Sequence, residues 1–421
     1  MAQVRLGLRE NAAQFSLLVA VNAFVGAMVG LERSTLPLIG EDDFGLGSST
    51  AVLSFIVAFG LAKSFTNLAA GAGAERFGRR RLLILGWVLA LPVPLLIALA
   101  PSWGWVVAAN LFLGVSQGLA WSMTVVMKID LVGPKRRGLA LGLNEAAGYG
   151  GVAIAAALSG LLASEFAPRD VLVAGGAGIA LVALLLSALF ARDTAAHVRL
   201  EQRQGDHDRA EAPPRLRQAF PEVSYRRPAL RACSQAGLVN NLNDALAWGL
   251  VPLFLAADGA SASEVGLVAG LYPAVWGVGQ IVAGQWSDRV GRKPLIVAGM
   301  LLQAAALGLL AASDGAVGVA AAAAAVLGVG TALVYPTLIA AISDAVSPLA
   351  RAPTVGVYRF WRDMGYVVGG LLAGLTTDAI GYSGAIAVVA ALTAASGIWV
   401  AVDLPERNEL ARGKPASSLV P

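Results

Sequence analysis

The sequence predicts an all-α integral membrane protein whose twelve spanning helices form two pseudo-symmetric six-helix bundles. The chain has 421 residues, of which 57% are hydrophobic and 14% charged, and its mean hydropathy is +0.69. Soluble domains carry charge on about a quarter of their residues. Apolar runs long enough to cross a bilayer, roughly 20 residues each, recur along the chain. The two-residue alternation of a membrane barrel is missing, so helices must satisfy the backbone.

Each spanning helix is predicted from one apolar run. In chain order the runs are 14–38, 48–73, 81–100, 103–127, 139–164, 171–191, 229–256, 263–285, 294–312, 316–343, 353–377 and 381–403. Most of the 31 Lys and Arg residues lie in the two termini and in alternate loops, whereas the loops on the other side carry only Arg169. Because basic residues accumulate on the cytoplasmic side, both termini are predicted to be cytoplasmic in a multi-pass protein of the inner membrane. The net charge of +4 is explained by this distribution of basic residues. No nucleic-acid partner is therefore predicted.

A polar stretch divides the chain into two halves. From Arg192 to Pro228 the hydrophobicity collapses and charges of both signs crowd together. The predicted organisation is an N-terminal bundle (1–191), a cytoplasmic linker (192–228), a C-terminal bundle (229–403) and a cytoplasmic tail (404–421). The only histidines, His197 and His207, lie in the linker. A solvated loop is favoured there over a metal site, and no metal or cofactor is predicted.

Two loops of the chain repeat each other. Gly71–Arg80 (GAGAERFGRR) follows the second span, and Gly284–Lys293 (GQWSDRVGRK) follows the eighth. One helix pair further on, Trp121–Asp130 aligns with Tyr335–Asp344 at nearly the same spacing. Parallel repeats of this kind imply a cavity between the halves near the membrane midplane and alternating access by rocking.

Both loops resemble the signature motif of the major facilitator superfamily, Gly-x-x-x-Asp-Arg-x-Gly-Arg-Arg/Lys, with Glu75 in place of Asp in the first copy. The resemblance covers the whole topology and implies the fold of that superfamily and a secondary transporter that works as a monomer. Finer motifs of its proton-coupled drug exporters are absent. Gly114 stands where they carry Arg, and Gly142–Gly151 lacks their Gly-Pro pair.

The motif residues are predicted to act as a conformational latch. The acid of each copy can cap a neighbouring helix, and its Arg can pair with an acid at a helix end. Asp130 is the predicted partner of Arg76, and Asp344 that of Arg289. The predicted gating set is Gly71, Glu75, Arg76, Gly78, Arg79, Asp130, Gly284, Asp288, Arg289, Gly291, Arg292 and Asp344.

Charged residues inside the spans form the functional shortlist, because a charge at the centre of a spanning helix costs about 3 kcal/mol on insertion scales. Glu32 is the predicted proton-coupling site, since a partly dehydrated carboxyl can be neutralised and reionised as access alternates. A fixed ion pair of Glu32 with Lys63 or another cation is the alternative. In the seventh span, Asp244 shares one helical stripe with an amide and an aromatic ring, which suits a cationic or zwitterionic substrate.

The eleventh span places Arg359, Arg362, Asp363 and Tyr366 on one face, and its counterpart in the fifth span carries Glu145. Two interpretations stay open: a Glu145–Arg362 salt bridge that closes the cytoplasmic side, or ligation of an anion by the two arginines. The predicted substrate and proton pathway is Asn22, Glu32, Arg33, Lys63, Gln117, Trp121, Glu145, Asn240, Asp244, Trp248, Tyr272, Trp276, Arg359, Arg362, Asp363 and Tyr366.

These residues leave three functions open. The leading hypothesis is a proton-coupled exporter, an antiporter of small amphipathic compounds, indicated by the aromatic residues with Glu32 and Asp244. The alternative is a proton-coupled or exchange transporter of a small anion or metabolite, indicated by Arg33, Arg359 and Arg362; the third is a non-transporting sensor of the same fold. No enzyme is predicted, because the chain lacks a phosphate-binding loop and its Gly-x-Ser-x-Gly segment lies in an apolar helix without a nearby histidine.

Overall fold

The protein is a bundle of long helices in a computed structural model, described for residues 4–133, 137–204, 216–346 and 351–405. Ten helical segments in these residues are long and apolar enough to cross a membrane. The last of them consists of two arms joined at Gly381, whose φ of 77° and ψ of 173° interrupt the helix. A further 30-residue helix, Pro228–Ala257, packs in the same bundle. The twelve predicted spans of an all-α membrane protein are therefore confirmed.

The first six spans are built from seven helices. These are α1 (Ala12–Asp42), α2 (Ser49–Phe77), α3 (Arg79–Ala90), α4 (Pro92–Ala98), α5 (Trp103–Val132), α6 (Arg137–Ala163) and α7 (Pro168–Phe190). The third span is divided into α3 and α4 because Pro92 has no backbone N–H with which to continue the helical ladder. The connection to the second half carries α8 (Ala195–Gln204), α9 (Leu216–Pro221) and one π-helical turn (Glu222–Arg226).

The second half follows with α10 (Pro228–Ala257), α11 (Ala262–Val290), α12 (Arg292–Ala311), α13 (Val317–Asp344) and α14 (Arg351–Asp403). Several helices run beyond the apolar stretches that predicted them; α1, for example, includes Glu41 and Asp42. Polar residues at a helix end keep the backbone ladder while their side chains reach the polar membrane surface. Hydropathy alone therefore underestimates the lengths of these helices.

The two halves meet along three helix pairs: α6 packs against α11, α2 against the first arm of α14, and α1 against α10. We call the face that carries α8 and α9 the linker face, and the opposite face, with the α1–α2 and α10–α11 connections, the far face. All spans run between these two faces.

The halves are sealed at the far face. Asp378 of α14 accepts hydrogen bonds from the Ser48 hydroxyl (2.7 Å) and from the backbone N–H groups of Ser49 (2.7 Å) and Thr50 (3.2 Å), and so caps α2. On the other side of the bundle, a Cβ added to Gly160 of α6 would lie 2.4 Å from Cα of Gly266 in α11. Only glycine allows backbones to approach this closely.

Candidate functional site

A cavity lies between the two halves, with about 330 Å³ of empty space, part of which is open to solvent. Residues from α2, α5 and α6 form one wall, and residues from α10, α13 and α14 form the other. The lining residues are Lys63, Asn67, Trp121, Ser122, Tyr149, Asn241, Tyr335, Arg359, Arg362 and Tyr366. They lie at the middle of their helices or on the linker-face side of it. Because the halves are sealed at the far face, the linker face is the side on which this cavity lies closer to the surface.

A buried ion pair closes the cavity toward the far face. Nη2 of Arg33 lies 2.7 Å from Oδ1 of Asp244, and both side chains are almost fully buried. The Tyr366 hydroxyl donates to Oδ2 of Asp244 at 2.5 Å. The Arg33 guanidinium also stands 5.3 Å from the ring centroid of Trp248. Since α1 belongs to the first half and α10 to the second, this pair joins the halves.

Glu32, the neighbour of Arg33 in the chain, lies apart from these charges. It is 2% exposed, and its Oε2 has no hydrogen-bond partner in the described part of the chain. Lys63 faces three rings instead, with its Nζ 5.1 Å from Phe59, 5.2 Å from Trp121 and 5.4 Å from Tyr366. The Glu32–Lys63 ion pair considered as an alternative is wrong for this conformation, because Lys63 is held in a cage of aromatic rings.

Arg362 is balanced within its own half. Its Nη2 lies 2.6 Å from Oδ1 of Asp363, and its Nη1 donates to the Tyr335 hydroxyl at 2.5 Å. Asn67 of α2 donates to the other oxygen of Asp363 across the halves. The predicted Glu145–Arg362 bridge is wrong for this conformation, since the adjacent Asp363 has taken that position.

Glu145 instead binds groups of its own half. Its Oε1 accepts from the indole N–H of Trp121 (3.2 Å) and from the side-chain amide of Asn144 (3.0 Å), and its Oε2 has no hydrogen-bond partner among the described residues. Trp121 therefore stands between Glu145 and the cavity. Behind the same wall, Lys128 is fully buried and donates to the carbonyl of Leu18 at 3.1 Å.

Arg359 lines the cavity without a carboxylate. Within the described part of the chain, its buried Nε has no hydrogen-bond partner and no carboxylate lies within salt-bridge distance of its guanidinium. No described carboxylate lies within salt-bridge distance of Lys63 either, and its Nζ stands over the rings named above. Each half thus presents to the cavity one cation that has no salt-bridge partner among the described residues, Lys63 from α2 and Arg359 from α14.

Other predicted pathway residues are engaged in packing. Asn22 donates to the Asn144 carbonyl at 2.6 Å, and Gln117 donates to that of Val25 at 2.9 Å. Within the second half, the Gln303 amide donates to Asn240 (3.0 Å), and the Tyr272 hydroxyl lies 3.3 Å from that of Thr331. Trp276 stacks on Tyr149 with centroids 3.6 Å apart. None of these five predicted residues, Asn22, Gln117, Asn240, Tyr272 and Trp276, lines the cavity.

The predicted site lacked five residues of the cavity wall: Asn67, Ser122, Tyr149, Asn241 and Tyr335. Asn67 and Asn241 could have been found from the sequence, because an amide within an apolar span needs a polar partner. Asn67 and Asn241 both donate to Asp363. Ser122 and the two tyrosines have no such signal, since these residue types are common inside helices.

The repeated motif loops have the same backbone geometry in both halves. Gly78 and Gly291 adopt positive φ angles, +86° and +102°, between α2 and α3 and between α11 and α12. Glycine is the residue that adopts this conformation without strain. The side chains of Gly71–Arg76 and Asp288 lie outside the described residues, so the predicted roles of Glu75, Arg76 and Asp288 stay predictions.

Each motif loop is tied to its own half by an ion pair. Nε of Arg79 lies 3.2 Å from Asp130, and Nε of Arg292 lies 3.0 Å from Asp344. The predicted Arg289–Asp344 pair is wrong here: Arg289 is exposed, and Arg292, at the start of α12, is the partner. Arg292 can reach Asp344 because the chain turns at Gly291, between α11 and α12.

The first loop is also bound by the residues that follow α7. The Thr194 hydroxyl donates to Asp130 at 2.5 Å, and Asp193 accepts from the backbone N–H groups of Arg80 (3.0 Å) and Ala195 (2.9 Å). Partial burial raises the pKa of Asp193, but these hydrogen bonds outweigh it and hold the pKa below its ordinary value. The start of the linker is therefore fixed to the first half.

Comparison with known sequences places these features in a family. A model described as the Major Facilitator Superfamily matches residues 13–238 and 233–421. The chain is 24% identical over 383 residues to an uncharacterised MFS-type transporter of Salmonella typhimurium, covering 86% of this chain and 89% of that one. It is 30% identical over 152 residues to the inner membrane transport protein YajR of Escherichia coli, covering 35% and 32% of the two chains.

Solved structures show the same fold. A bacterial homologue of the human lysosomal transporter Spinster, in an inward-facing and unoccupied conformation, matches with a TM-score of 0.68 and 17% identity over 93% of this chain and 95% of that one. The nucleoside transporter NupG, as a D323A mutant, matches with a TM-score of 0.73 and 12% identity over 93% of this chain and 100% of that one. At these identities the likeness concerns the fold.

Proposed function

The chain belongs to the Major Facilitator Superfamily, and on that premise we propose that it is a secondary transporter that carries a small anion across the inner membrane by alternating access. The observation that carries this proposal is the pair of cavity cations without carboxylates, Lys63 and Arg359. An uncompensated cation inside a membrane protein is costly unless a ligand or water balances it. A negatively charged solute is the ligand that removes this cost.

The anion is favoured over a cationic substrate by the position of Asp244. The sequence suggests this carboxylate as a cation ligand, but Arg33 and Tyr366 occupy its two oxygens. A cation that entered the cavity would meet Lys63, Arg359 and Arg362 on its walls, with Asp363 already paired. The field in the cavity therefore attracts anions.

Transport by this route requires the halves to rock about the cavity. We assign the linker face to the cytoplasm, because basic residues concentrate in its loops, so that the present conformation is closed to the outside. Opening the far face would break the Arg33–Asp244 pair and the Asp378 contacts with α2. The motif ion pairs Arg79–Asp130 and Arg292–Asp344 lie within single halves and can persist as the halves move as rigid bodies.

Glu32 is the proposed site of proton coupling. Its burial and its free oxygen allow it to hold a proton in this conformation without losing an ion pair. Glu32→Gln fixes the neutral form with the same shape. We expect this variant to exchange substrate across proteoliposome membranes but to lose accumulation driven by a pH gradient. Retention of gradient-driven accumulation would exclude Glu32 as the coupling residue.

A proton-coupled exporter of amphipathic compounds is the second candidate, favoured by the aromatic part of the cavity. Trp121, Tyr149, Tyr335 and Tyr366 all contribute to the lining. Aromatic rings bind apolar or cationic ligands through their faces. Lys63 already occupies the faces of Trp121 and Tyr366, however, which leaves fewer free rings for a cationic ligand.

Ligand-induced thermal stabilisation distinguishes the two candidates, since a ligand that binds the folded state raises its melting temperature. The detergent-purified protein is heated with organic anions, inorganic phosphate, sugars or lipophilic cations. We expect stabilisation by anions, weakened in Arg359→Gln and kept in the control Arg81→Gln, which changes an exposed arginine of α3. Stabilisation by lipophilic cations alone contradicts the proposal and supports the exporter.

A further inference from the structure

Among the described residues around the cavity, two cationic side chains have no salt-bridge partner. Arg362 is paired with Asp363 at 2.6 Å, and Arg33 with Asp244 at 2.7 Å. These pairs add no net charge to the cavity. Two cations are left on its wall, and they belong to opposite halves.

The wall behind the cavity does not change this balance. Behind the wall formed by the first half, the carboxylate of Glu145 and the ammonium of Lys128 are buried, and neither lines the cavity. Their charges are opposite and offset each other at a distance. Glu32 lies on the far-face side of the middle of α1, and it does not line the cavity either. The charge available to a ligand is therefore that of Lys63 and Arg359.

We propose that the site takes a dianion, a small dicarboxylate or a phosphate monoester, with one negative charge bound by Lys63 of the first half and the other by Arg359 of the second. This inference rests on the proposed anion transport and adds the charge of the substrate. Two ionised groups are required because a monoanion leaves one cation of the low-dielectric cavity unbalanced.

The two cations differ in the contacts that they offer. Arg359 presents a guanidinium, which binds a carboxylate or phosphate through two parallel hydrogen bonds. Lys63 presents a compact ammonium that is fixed by rings from both halves, Phe59 and Trp121 from the first and Tyr366 from the second. A dianion bound by both side chains connects the halves on the linker-face side of the Arg33–Asp244 pair. Substrate binding thereby draws together the walls that must close when the cavity turns to the far face.

Matched ligands that differ by one charge test the inference. Succinate is compared with its monoamide succinamate, and methyl phosphate with dimethyl phosphate. For each ligand, the concentration that gives half-maximal thermal stabilisation is measured at neutral pH and equal ionic strength. We expect the dianion of at least one pair to act at a roughly tenfold lower concentration, because it forms a second charge-assisted contact. The two pairs separate a dicarboxylate from a phosphate ester as the source of the charge.

Variants assign the second charge to its residue. Lys63→Met keeps the aliphatic stem among the rings, and Arg359→Gln keeps a hydrogen-bond donor. In either variant we expect the dianion and the monoanion to act at similar concentrations, whereas Arg81→Gln keeps the wild-type ratio. If wild-type protein responds equally to both members of each pair, the dianion inference is wrong while anion transport stands. If no anion stabilises the protein, both proposals fall.

Discussion

At the scale of single residues, the charge of the cavity depends on which buried side chains are paired. The Arg33–Asp244 pair is almost fully buried and receives one further hydrogen bond, from Tyr366. Removing one member of such a pair leaves an uncompensated charge in a low-dielectric site. This lowers the free energy of unfolding by about 3 to 5 kcal/mol. Removing both members costs less, because no isolated charge remains.

A double-mutant cycle tests this pair. We expect Asp244→Asn and Arg33→Gln each to lower the free energy of unfolding of the detergent-purified protein by about 3 kcal/mol. The double variant is expected to lose less free energy than the two single variants together. The coupling energy measures the contact between the halves. Strictly additive losses would mean that Arg33 and Asp244 do not interact in solution.

The sequence identifies the buried charges but not their partners. Glu32, Lys63, Asp244 and Arg362 stand out because charges are rare within apolar spans. Pairing depends on helix rotation and on side-chain length, which the sequence does not specify. Arg362 could reach toward Glu145 of the other half or toward its neighbour Asp363, and only the packed bundle selects Asp363.

At the scale of helices, the seal at the far face depends on glycine contacts between α6 and α11. A Cβ on Gly160 would lie 2.4 Å from Cα of Gly266 and 2.9 Å from the carbonyl oxygen of Ala262. Gly178 of α7 has nothing within 4 Å of the same position. The two glycines therefore respond differently to the same added methyl group.

We expect Gly160→Ala to lower the melting temperature, because the two helices must separate to accommodate the methyl group. Gly178→Ala is the matched control, and it is expected to leave the stability unchanged or to raise it by up to about 1 kcal/mol through helix propensity. Thermal unfolding of both variants in the same detergent provides the comparison. An equal response of the two variants would argue against close packing of α6 on α11.

Most helices could be predicted from apolar runs, and the exceptions have physical causes. The two arms of α14 join without a loop, because a single glycine with positive φ reverses the chain at Gly381. The helical segment Glu222–Arg226 lies within a run of charges whose hydropathy predicts a loop. Its formation depends on Val223, which is buried against the second half.

At the scale of the whole molecule, Asp378 joins the halves at the far face. Its carboxylate caps α2 with three hydrogen bonds from the other half. A side-chain cap of this kind contributes about 1 kcal/mol. Because the cap exists only while the far face is closed, its loss shifts the population toward the conformation that is open at the far face.

Labelling of a buried cysteine reports this shift. In a Cys233→Ala background, Leu53→Cys places a thiol at a fully buried position between α2 and the second half. We expect Asp378→Ala to increase the rate of maleimide labelling about fivefold, as a loss of about 1 kcal/mol implies. Asp42→Ala, which removes an exposed acid of the same face, is expected to leave the rate unchanged. Unchanged labelling in Asp378→Ala would contradict the role of this cap.

The overall architecture was predictable because the two halves repeat both a motif and a hydropathy pattern. Gly71–Arg80 and Gly284–Lys293 establish the repeat, and the repeat establishes a cavity between the halves. The conformation was not predictable. A transporter that works by alternating access forms a state open to each face, and the proposed states differ in contacts such as Arg33–Asp244, which no local pattern specifies.

Exchange in proteoliposomes tests the central claim, anion transport through this cavity, most directly. Vesicles are loaded with an unlabelled anion that stabilises the purified protein and are diluted into buffer that contains the radiolabelled form of the same anion. Uptake of the label is then measured. We expect saturable uptake by wild-type protein and by Arg81→Gln, and loss of this uptake in Arg359→Gln and Lys63→Met. Equal uptake by the cavity variants and wild-type protein, or uptake of a lipophilic cation but of no anion, would contradict it.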